Sequence, residues 1–400
     1  MKGKVNPIKL GYYRTTTLLR ALLMLSVDIA GYVFLFPYVL FCRFKGLGFR
    51  SGVVSSIAVF RLDGIGDLVL SGPALKALRS AFPNAHITLF VNEWSAGLAE
   101  LIDGPDSVIA LKAPLFKAFK GTMKIGDVLD ERRMLKAISK TRGFDLAIDL
   151  RGDFLSILTA WWLGARWLAS RASRGGGFLL TNVISQPEEG RIREINLNIN
   201  FVALLTGSKF VSEKARLKTM SDKIRKSMLE KMPQGVGEDY ICLAVAAPYE
   251  SRCYPVDKWG EVIRLIRKDF KKPILILGAA GDFEKCEYVA NKAGVQVFNV
   301  AGKLTIVESA ACIAGARMMI GNDGGLIHIA SAFDRPVVQL FGPADPVCFG
   351  HHDEHEYVIH KECPYNPCPE TKCITPETWC MNRINPAEVY QVAAPYLGSL

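Results

Sequence analysis

The sequence contains no long run of lysine and arginine with interleaved aromatic residues, so we expect no nucleic-acid partner. No short-period repeat is visible, and a repeat architecture is therefore not expected. Half of the residues are hydrophobic and 22% are charged, which excludes a disordered chain. At 400 residues the chain exceeds one ordinary core, and two domains are expected. The formal charge of +10 favours an anionic partner, such as a phosphorylated substrate, an acidic glycolipid or an anionic membrane.

The chain also lacks paired C-x2-C knuckles, the spacing most typical of structural zinc sites. Most of its ten cysteines are scattered, which suits a reducing compartment better than a disulfide scaffold. Cys363, Cys368, Cys373 and Cys380 lie close together, with the spacing C-x4-C-x4-C-x6-C. A structural metal or disulfides are possible uses of this tail. We predict reduced, packed cysteines in a loop and no metal in the active site.

Residues 21–42 lack lysine and arginine and contain one acid, Asp28, between two basic flanks. Their length just suffices to span a bilayer, but Asp28 and Pro37 argue against a clean span. No convincing cleavage site follows, so a signal peptide is not expected. We predict a helix or hairpin that lies in the membrane interface with its basic flanks on anionic lipid. A true span and a soluble apolar helix packed on the body are the alternatives.

From residue 53 onward, apolar runs typical of strands alternate with helical patterns, which implies βαβ units and mostly parallel sheets. Residues 113–133 are basic and are expected to be irregular. Residues 212–239 are interpreted as a helix followed by a linker, after which the α/β pattern restarts. We therefore predict two Rossmann-like domains that face each other across a cleft, with ligands at the carboxyl ends of the strands. The predicted divisions are residues 1–50 for the apolar segment, 51–225 for the first domain and 226–400 for the second.

The first strand of the first domain leads into "RLDGIGDLVLSGPAL", residues 61–75. This stretch lacks a complete G-x-G-x-x-G because Val69 occupies the third glycine position, which argues against a nucleotide-dependent oxidoreductase or epimerase. Asp67 would also repel a pyrophosphate. A carboxylate at the carboxyl end of a strand can instead accept a proton from a hydroxyl nucleophile. The plainer interpretation of Asp67 is an acid that suits a helix N-terminus.

A second turn, "NDGG" at residues 322–325, joins an apolar strand to a helix that is predicted to begin near Leu326. Its two glycines leave backbone N–H groups open, and the helix N-terminus adds partial positive charge, so the turn suits a diphosphate. His328 falls just inside the helix and has the chemistry to donate to a phosphate or leaving group. An ordinary half-buried histidine is the alternative.

Several segments, taken in order, resemble glycosyltransferase family 9, the lipopolysaccharide heptosyltransferases and their relatives. "RLDGIGDLVLSGPALKALRSAFPNAHITLFV" is similar to the family's opening strand, G-D turn and Pro-starting helix. The segments similar to its later motifs are "FDLAIDLRGD", "YPVDKWGEVIRLI", "GNDGGLIHIASAFDRPVVQLFGPADP" and "CMNRINPAEV". The resemblance covers roughly residues 55–395 and leaves out the apolar N-terminus.

The resemblance implies a GT-B fold, with an acceptor on the N-terminal domain and a nucleotide-sugar donor on the C-terminal one. It implies an inverting transfer that needs neither metal nor cofactor, with ADP-heptose as the default donor. Asp67 matches the general base, Arg252 the cation that neutralises the diphosphate, and Asp282 an acid that contacts the ribose. The residues that match the diphosphate turn are Asp323, Gly324, Gly325, Leu326 and His328.

Two departures from the family pattern bear on the donor. Gly324 stands where the family often has Ser or Thr, which keeps the backbone donors and loses a hydroxyl group. "AVAAPYESR" lacks the Gly/Ser-rich signature expected before Arg252. A nucleotide sugar other than ADP-heptose is therefore the alternative donor.

The acceptor implied by the resemblance is a lipopolysaccharide-core or related anionic glycolipid or oligosaccharide. We expect Gly66, Arg151 and Arg174 to meet it, with Arg166 and Arg171 as basic neighbours, although a charge run is more often a solvated face. The expected location is the cytoplasmic face of the inner membrane, with peripheral or single-anchor attachment. A non-catalytic, membrane-tethered glycan-binding relative is the remaining alternative.

Overall fold

The computed structural model describes residues 8–10, 13–15, 18–116, 122–185, 192–294, 296–351, 353–364, 373, 375 and 379–398. It separates the chain into two compact units, Met1–Lys214 and Ala215–Leu400, each with its own parallel six-stranded sheet. The predicted succession of two α/β sheets is confirmed.

The first unit opens with a short antiparallel strand pair and two helices, after which strands and helices alternate. Its strands are β1 (Ile8–Leu10), β2 (Tyr13–Thr15), β3 (Ser56–Arg61), β4 (His86–Asn92), β5 (Ser107–Leu111), β6 (Leu146–Asp149), β7 (Trp167–Ser170) and β8 (Asn182–Val183). Its helices are α1 (Leu18–Phe34), α2 (Phe36–Leu47), α3 (Ile65–Leu70), α4 (Gly72–Ala81), α5 (Ala96–Ala99), α6 (Ile125–Arg142), α7 (Phe154–Trp162) and α8 (Glu194–Thr206).

The large sheet of the first unit has the strand order β5-β4-β3-β6-β7-β8, with every pair parallel. β3 is almost entirely buried and apolar, as expected for a strand of a parallel sheet that is covered on both faces. Phe60 of β3 stacks on Phe90 of β4 with ring centroids 4.6 Å apart. The order reverses between β3 and β6, and such a switch point leaves a crevice at the carboxyl ends of the strands.

The second unit repeats this design. Its strands are β9 (Ile241–Ala244), β10 (Ile274–Leu277), β11 (Val297–Asn299), β12 (Met319–Asn322), β13 (Val337–Phe341) and β14 (Glu356–His360). Its helices are α9 (Asp222–Glu230), α10 (Val256–Asp269), α11 (Phe283–Ala293), α12 (Ile306–Gly315), α13 (Gly325–Ala332), α14 (Pro346–Phe349), α15 (Trp379–Asn382) and α16 (Pro386–Ala393). The order β11-β10-β9-β12-β13-β14 is again all parallel and reverses between β9 and β12.

The division between the units lies at Lys214–Ala215, ahead of the predicted division after residue 225. Residue 225 falls inside α9, and α9 packs on α12 within the second unit. Ser227 and Lys231 both donate to the carboxylate of Glu308, at 2.6 Å each. The chain therefore passes between the units in the extended stretch that precedes α9.

The apolar N-terminal segment forms α1 and α2, which meet at Leu35 with a bend of 87°. Pro37 lies in the first turn of α2, where the missing N–H has no helical partner to lose. Within the described ranges, no single helix is long and apolar enough to cross a bilayer, although this bent pair together reaches that length and composition. Asp28 is buried and accepts the N–H of Gly176 at 2.7 Å, so this acid ties α1 to the first unit.

Candidate functional site

The switch point of the first unit carries Asp67. After β3 the chain turns and enters α3, whose third residue is Asp67. The Asp67 carboxylate accepts the N–H of Gly64 at 3.2 Å and so caps the helix, while its side chain stays 33% exposed. Gly66 precedes it and is half-buried. Asp67 therefore has the capping role that suits a helix N-terminus, and its exposed carboxylate is also accessible to a substrate hydroxyl.

Arg61, the last residue of β3, gathers acids around Asp67. Its guanidinium is 1% exposed and lies 3.1 Å from Asp63, 3.6 Å from Asp67 and 3.0 Å from Glu194. It also donates to the backbone carbonyls of Asp67 and Leu150, at 3.1 and 3.0 Å. Burial opposes the charge, but the carboxylates outweigh it and raise the pKa of Arg61 above its ordinary value. A buried cation with these partners fixes the position of Asp67.

Asp63 is the second acid of the turn. Burial raises the pKa of its carboxyl to about 7, and the carboxylates of Asp67 and Glu194 add to the rise, whereas Arg61 and Arg151 oppose it. Asp63 therefore changes charge near neutral pH. Its side chain is 15% exposed, less than half the exposure of Asp67, so Asp67 is the better placed of the two acids to meet a substrate.

Arg151 and Arg174 lie together beside this switch point. Arg151 follows β6, donates to the Leu62 carbonyl at 2.9 Å and forms an ion pair with Asp153. Its guanidinium also lies 4.4 Å from the centroid of the Phe116 ring. Arg174 donates to the Arg151 carbonyl at 3.1 Å, and both residues are half-buried. These arginines form an ordered edge of the site rather than a freely solvated face.

The other two basic residues differ in position. The side chain of Arg171 is 9% exposed, donates to the Leu150 carbonyl and lies 3.8 Å from Glu194, and desolvation lowers its pKa. Arg166 precedes β7 and covers the Trp167 ring at 4.3 Å. Because Arg166 and Arg171 lie at opposite ends of β7, the structure separates Arg166 from the predicted basic group. That part of the prediction is wrong, because a strand between two residues close in sequence places them at opposite ends of that strand.

The switch point of the second unit carries the glycine turn. Asn322 ends β12, donates to the Val245 carbonyl at 2.8 Å and accepts the N–H of Tyr254 at 3.0 Å, which joins the loops after β12 and β9. α13 then begins at Gly325, one residue before the predicted start at Leu326. The first N–H groups of a helix have no intrahelical acceptor, so the start of α13 offers donors to an anion.

Arg252 is held beside this turn. It lies in the short turn after β9, and its guanidinium is 3.2 Å from the carboxylate of Asp323. Asp323 is 3% exposed and also accepts the side-chain amide of Gln339 at 3.0 Å. The structure thus brings together two of the predicted donor-binding residues, Arg252 and Asp323. A guanidinium keeps its charge at every physiological pH and suits phosphate oxygens.

His328 belongs to the same site but is more deeply buried than its motif suggests. It is 4% exposed, and its Nδ1 lies 2.7 Å from Nε2 of His351. Its Nε2 is 3.9 Å from the Asp323 carboxylate. His351 is buried as well and exchanges a hydrogen bond with the Ser331 hydroxyl at 3.0 Å. The histidine is therefore part of a polar chain that begins at Asp323.

Asp282 lies at the carboxyl end of β10, next to β9 in the sheet. Its carboxylate accepts the N–H of Ala279 at 2.9 Å, which closes the short turn that opens α11. One oxygen is thus engaged in capping. Contact with a ribose stays a prediction for this residue.

Three residues of these sites were not singled out as functional from the sequence. Arg61 pairs with Asp67, Glu194 pairs with Arg61, and His351 contacts His328. Arg61 directly follows an apolar run in the sequence, and a charged residue at the end of a predicted buried strand was the signal that could have identified it. Glu194 and His351 carry no local signal because they reach their partners only through the fold.

The cysteine tail is described only in part, and Cys368 lies outside the described residues. Cys363 and Cys373 are half-buried, and Cys380 is buried. In the part of the chain that the structure covers, no group of three or more cysteine, histidine or acidic side chains is arranged to hold a metal ion.

Comparison with known proteins supports the geometry. The model of glycosyltransferase family 9 (heptosyltransferase) matches residues 132–378, more than half of the chain. Lipopolysaccharide heptosyltransferase 1 of Escherichia coli K12 is 23% identical over 312 residues, covering 76% of this chain and 92% of the relative. A family 9 glycosyltransferase from Veillonella parvula superposes with a TM-score of 0.71 at 19% identity, over 86% of this chain and 97% of the other. The E. coli heptosyltransferase WaaC with ADP-2-deoxy-2-fluoro heptose gives 0.63 at 18% identity, over 85% and 99%.

Proposed function

Because the chain belongs to glycosyltransferase family 9, with the α/β fold of the heptosyltransferase GT-B structures, we propose that it transfers a heptose from ADP-heptose to a lipopolysaccharide-core or related glycolipid. The reaction inverts the anomeric configuration and uses no metal ion or cofactor. The ADP-heptose analogue held by WaaC supports this choice of donor. Another nucleotide sugar is the alternative, because Gly324 lacks the hydroxyl that the family often carries.

The observation that carries the proposal is the chemical contrast between the two switch points. The first presents the Asp67 carboxylate, which suits a proton but repels a phosphate. The second presents a helix start beside Arg252, which suits a phosphate. The two switch points thus present different groups: a partly exposed carboxylate in the first unit, and a helix start with an arginine beside it in the second. A transfer from a nucleotide diphosphate to a hydroxyl requires both a base for the hydroxyl proton and donors for the diphosphate.

In the proposed reaction Asp67 accepts the proton of an acceptor hydroxyl. The hydroxyl oxygen forms a bond to the anomeric carbon of the donor, while the bond from that carbon to the diphosphate oxygen breaks. The nucleoside diphosphate leaves with the electron pair of that bond. Arg252 and the N–H groups at the start of α13 neutralise its growing charge. Asp323 and His328 act from beneath this turn, where Asp323 holds Arg252.

Arg151 and Arg174 are proposed to bind an anionic group of the acceptor. Their ordered, half-buried arrangement beside the Asp67 turn supports this role. The net charge of +10 agrees with an anionic acceptor. The proposed place of work is the cytoplasmic face of the inner membrane, where such a glycolipid is available to a membrane-associated enzyme.

The first experiment is a thermal-shift screen of nucleotide sugars on the full chain, because a ligand that binds only the folded state raises its melting temperature. We expect ADP-heptose to stabilise more than UDP- and GDP-sugars, and chelation of divalent ions to leave the shift unchanged. Product formation with a lipopolysaccharide-core acceptor then separates an enzyme from a non-catalytic glycan-binding relative. The absence of stabilisation by every nucleotide sugar would overturn the proposal.

A further inference from the structure

We propose that the elbow formed by α1, Leu35 and α2 (residues 18–47) is a docking surface for an anionic lipid leaflet, in whose plane it lies. The proposal deepens the membrane location given under the proposed function, but lipid binding can be measured without sugar transfer. It rests on how the elbow divides its side chains between an inner and an outer face.

The outer face of the elbow is apolar and unusually exposed. Val33, Phe34, Phe36, Phe41, Phe44 and Leu47 are between 58% and 81% exposed. These large exposed apolar side chains follow one another on two consecutive helices. A continuous apolar surface of this kind marks an interaction site.

The inner face of the elbow is fixed to the first unit by polar contacts. Besides the bond from Gly176 to Asp28, Arg43 donates to the carbonyls of Gly177 and Leu180, at 3.1 and 3.2 Å. Trp167 donates to the Lys45 carbonyl at 3.0 Å. These bonds hold the elbow against the body, which explains why its apolar side chains face outward rather than into a core.

The contacts on the inner face also explain why the elbow does not span. α1 has 17 residues, about 26 Å of helix, and its one acid is turned onto the Gly176 N–H. Asp28 and Gly31 of α1 are buried against the body, and a helix held there on one face is not surrounded by lipid. Beyond the 87° bend, α2 is tied to the same unit through the Arg43 guanidinium and the Lys45 carbonyl.

The loop that receives the elbow also carries an acceptor-binding residue. Arg174 lies two residues before Gly176, and its backbone N–H donates to the Gly152 carbonyl at 2.9 Å, while its side chain donates to Arg151. Elbow, loop and acceptor arginines therefore form one connected edge of the first unit. Docking of the elbow places that edge close to a membrane-bound glycolipid.

The charge pattern of the elbow favours an anionic lipid leaflet, rather than another protein, as the partner of its outer face. Between residues 21 and 42 the sequence carries no basic residue and only Asp28 as an acid, and Asp28 is buried. Besides Arg43, which is turned onto the body, basic residues follow at Lys45 and Arg50, and others precede the segment. An apolar face with basic flanks suits acyl chains below anionic head groups.

The test compares two matched variants by vesicle flotation. Val33→Ser/Leu40→Ser/Leu47→Ser removes three exposed aliphatic side chains of the elbow. Ile125→Ser/Val211→Ser/Leu229→Ser removes three comparably exposed ones elsewhere. On vesicles of phosphatidylcholine and phosphatidylglycerol, we expect the elbow variant to bind about tenfold or more weakly than the unmodified chain, and the control variant to bind like it. Equal losses in both variants, or in neither, would overturn the proposal.

Four further measurements complete the test. Circular dichroism and melting temperature establish that both variants are folded. Light scattering without lipid tests for a second copy as the occupant: if the elbow variant changes only self-association and not flotation, the proposal fails. Alkaline carbonate should release the chain from membranes, whereas retention would show a spanning helix and overturn the in-plane placement. The nucleotide-sugar thermal shift should be the same in both variants, so a failure there counts against the proposed function and not against the elbow.

Discussion

Nδ1 of His328 lies 2.7 Å from Nε2 of His351, and both rings are buried. Two ring nitrogens at this distance share one proton, so the state of one histidine determines that of the other. Nε2 of His328 lies 3.9 Å from the Asp323 carboxylate, and Nδ1 of His351 lies 3.9 Å from the Glu356 carboxylate. Nδ1 of His351 also exchanges a hydrogen bond with the hydroxyl of Ser331 at 3.0 Å. His351 is thereby a positioning residue for the start of α13.

Replacing His351 should affect the donor selectively. His351→Phe removes the hydrogen bond to His328, and we expect the KM for the nucleotide sugar to rise about fivefold to tenfold, because one hydrogen bond contributes about 1 kcal/mol. The KM for the acceptor should stay within about twofold. His351→Gln retains a donor and should recover most of the loss. A general fall in stability without this division between the two substrates would contradict a positioning role.

Replacing Arg252 should weaken donor binding more than acceptor binding. Arg252→Ala removes a permanent cation from the phosphate turn and also leaves the buried Asp323 without that partner, so we expect donor affinity to fall about tenfold to a hundredfold. Arg252→Lys keeps the charge without the bidentate geometry and should lie between the two. Calorimetry with each substrate alone measures the effect. Unchanged donor affinity in the alanine variant would rule out this role.

Gly324→Ser should leave the stability of the fold unchanged and should increase the affinity for the nucleotide-sugar donor. The backbone of Gly324 is extended, and an added Cβ would find its nearest neighbour, the Asn322 carbonyl oxygen, at 3.8 Å. We expect an unchanged melting temperature and donor affinity about threefold to tenfold higher, since the hydroxyl adds a hydrogen bond to phosphate. A large loss of stability would show that the turn needs glycine for its backbone. Weaker donor binding in a stable variant would show that the turn does not hold the diphosphate.

Asp63 should make the stability of the first unit depend on pH. Its folded pKa of about 7 lies above the ordinary value of 3.8, so the folded state holds a proton that the unfolded state has lost. Stability is therefore lost as pH rises through the interval from about 4 to 7. Asp63→Asn removes the ionisable group and with it this pH-dependent loss of stability. Between pH 5 and 8, urea denaturation should show the variant gaining about 1–3 kcal/mol relative to the unmodified chain. Parallel pH profiles would contradict the raised pKa.

The order of strands and helices could be predicted from the sequence because apolar runs and glycine turns are local signals. Residues 107–111 and 337–341 predict strands, and β5 and β13 have these bounds. Residues 53–61 predict a strand and residues 71–81 a helix, and β3 and α4 differ from these only in where they begin. α6 was expected to be irregular in its first part. Its 18 residues include only Glu131 and Leu135 as buried ones, so it carries no apolar stripe that would reveal a helix.

In the two sites, too, some residues could be predicted from local sequence signals and others could not. Asp67 and residues 322–325 could be identified from the sequence because each lies where a predicted strand leads into a predicted helix. The partners that fix them do not: Glu194 reaches Arg61 from α8, and His351 reaches His328 across the loop after β13. Such contacts depend on how the sheet brings distant loops together, which no local pattern records.

The central claim is that Asp67 is the base, and Asp67→Asn tests it most directly. Asparagine keeps an oxygen that can accept the Gly64 N–H, so the cap and the fold should survive. It cannot take a proton from the acceptor hydroxyl, and we expect kcat to fall about a hundredfold to ten-thousandfold while donor binding is retained. Turnover of sugar by the folded, donor-binding variant at a rate near that of the unmodified chain would contradict the account.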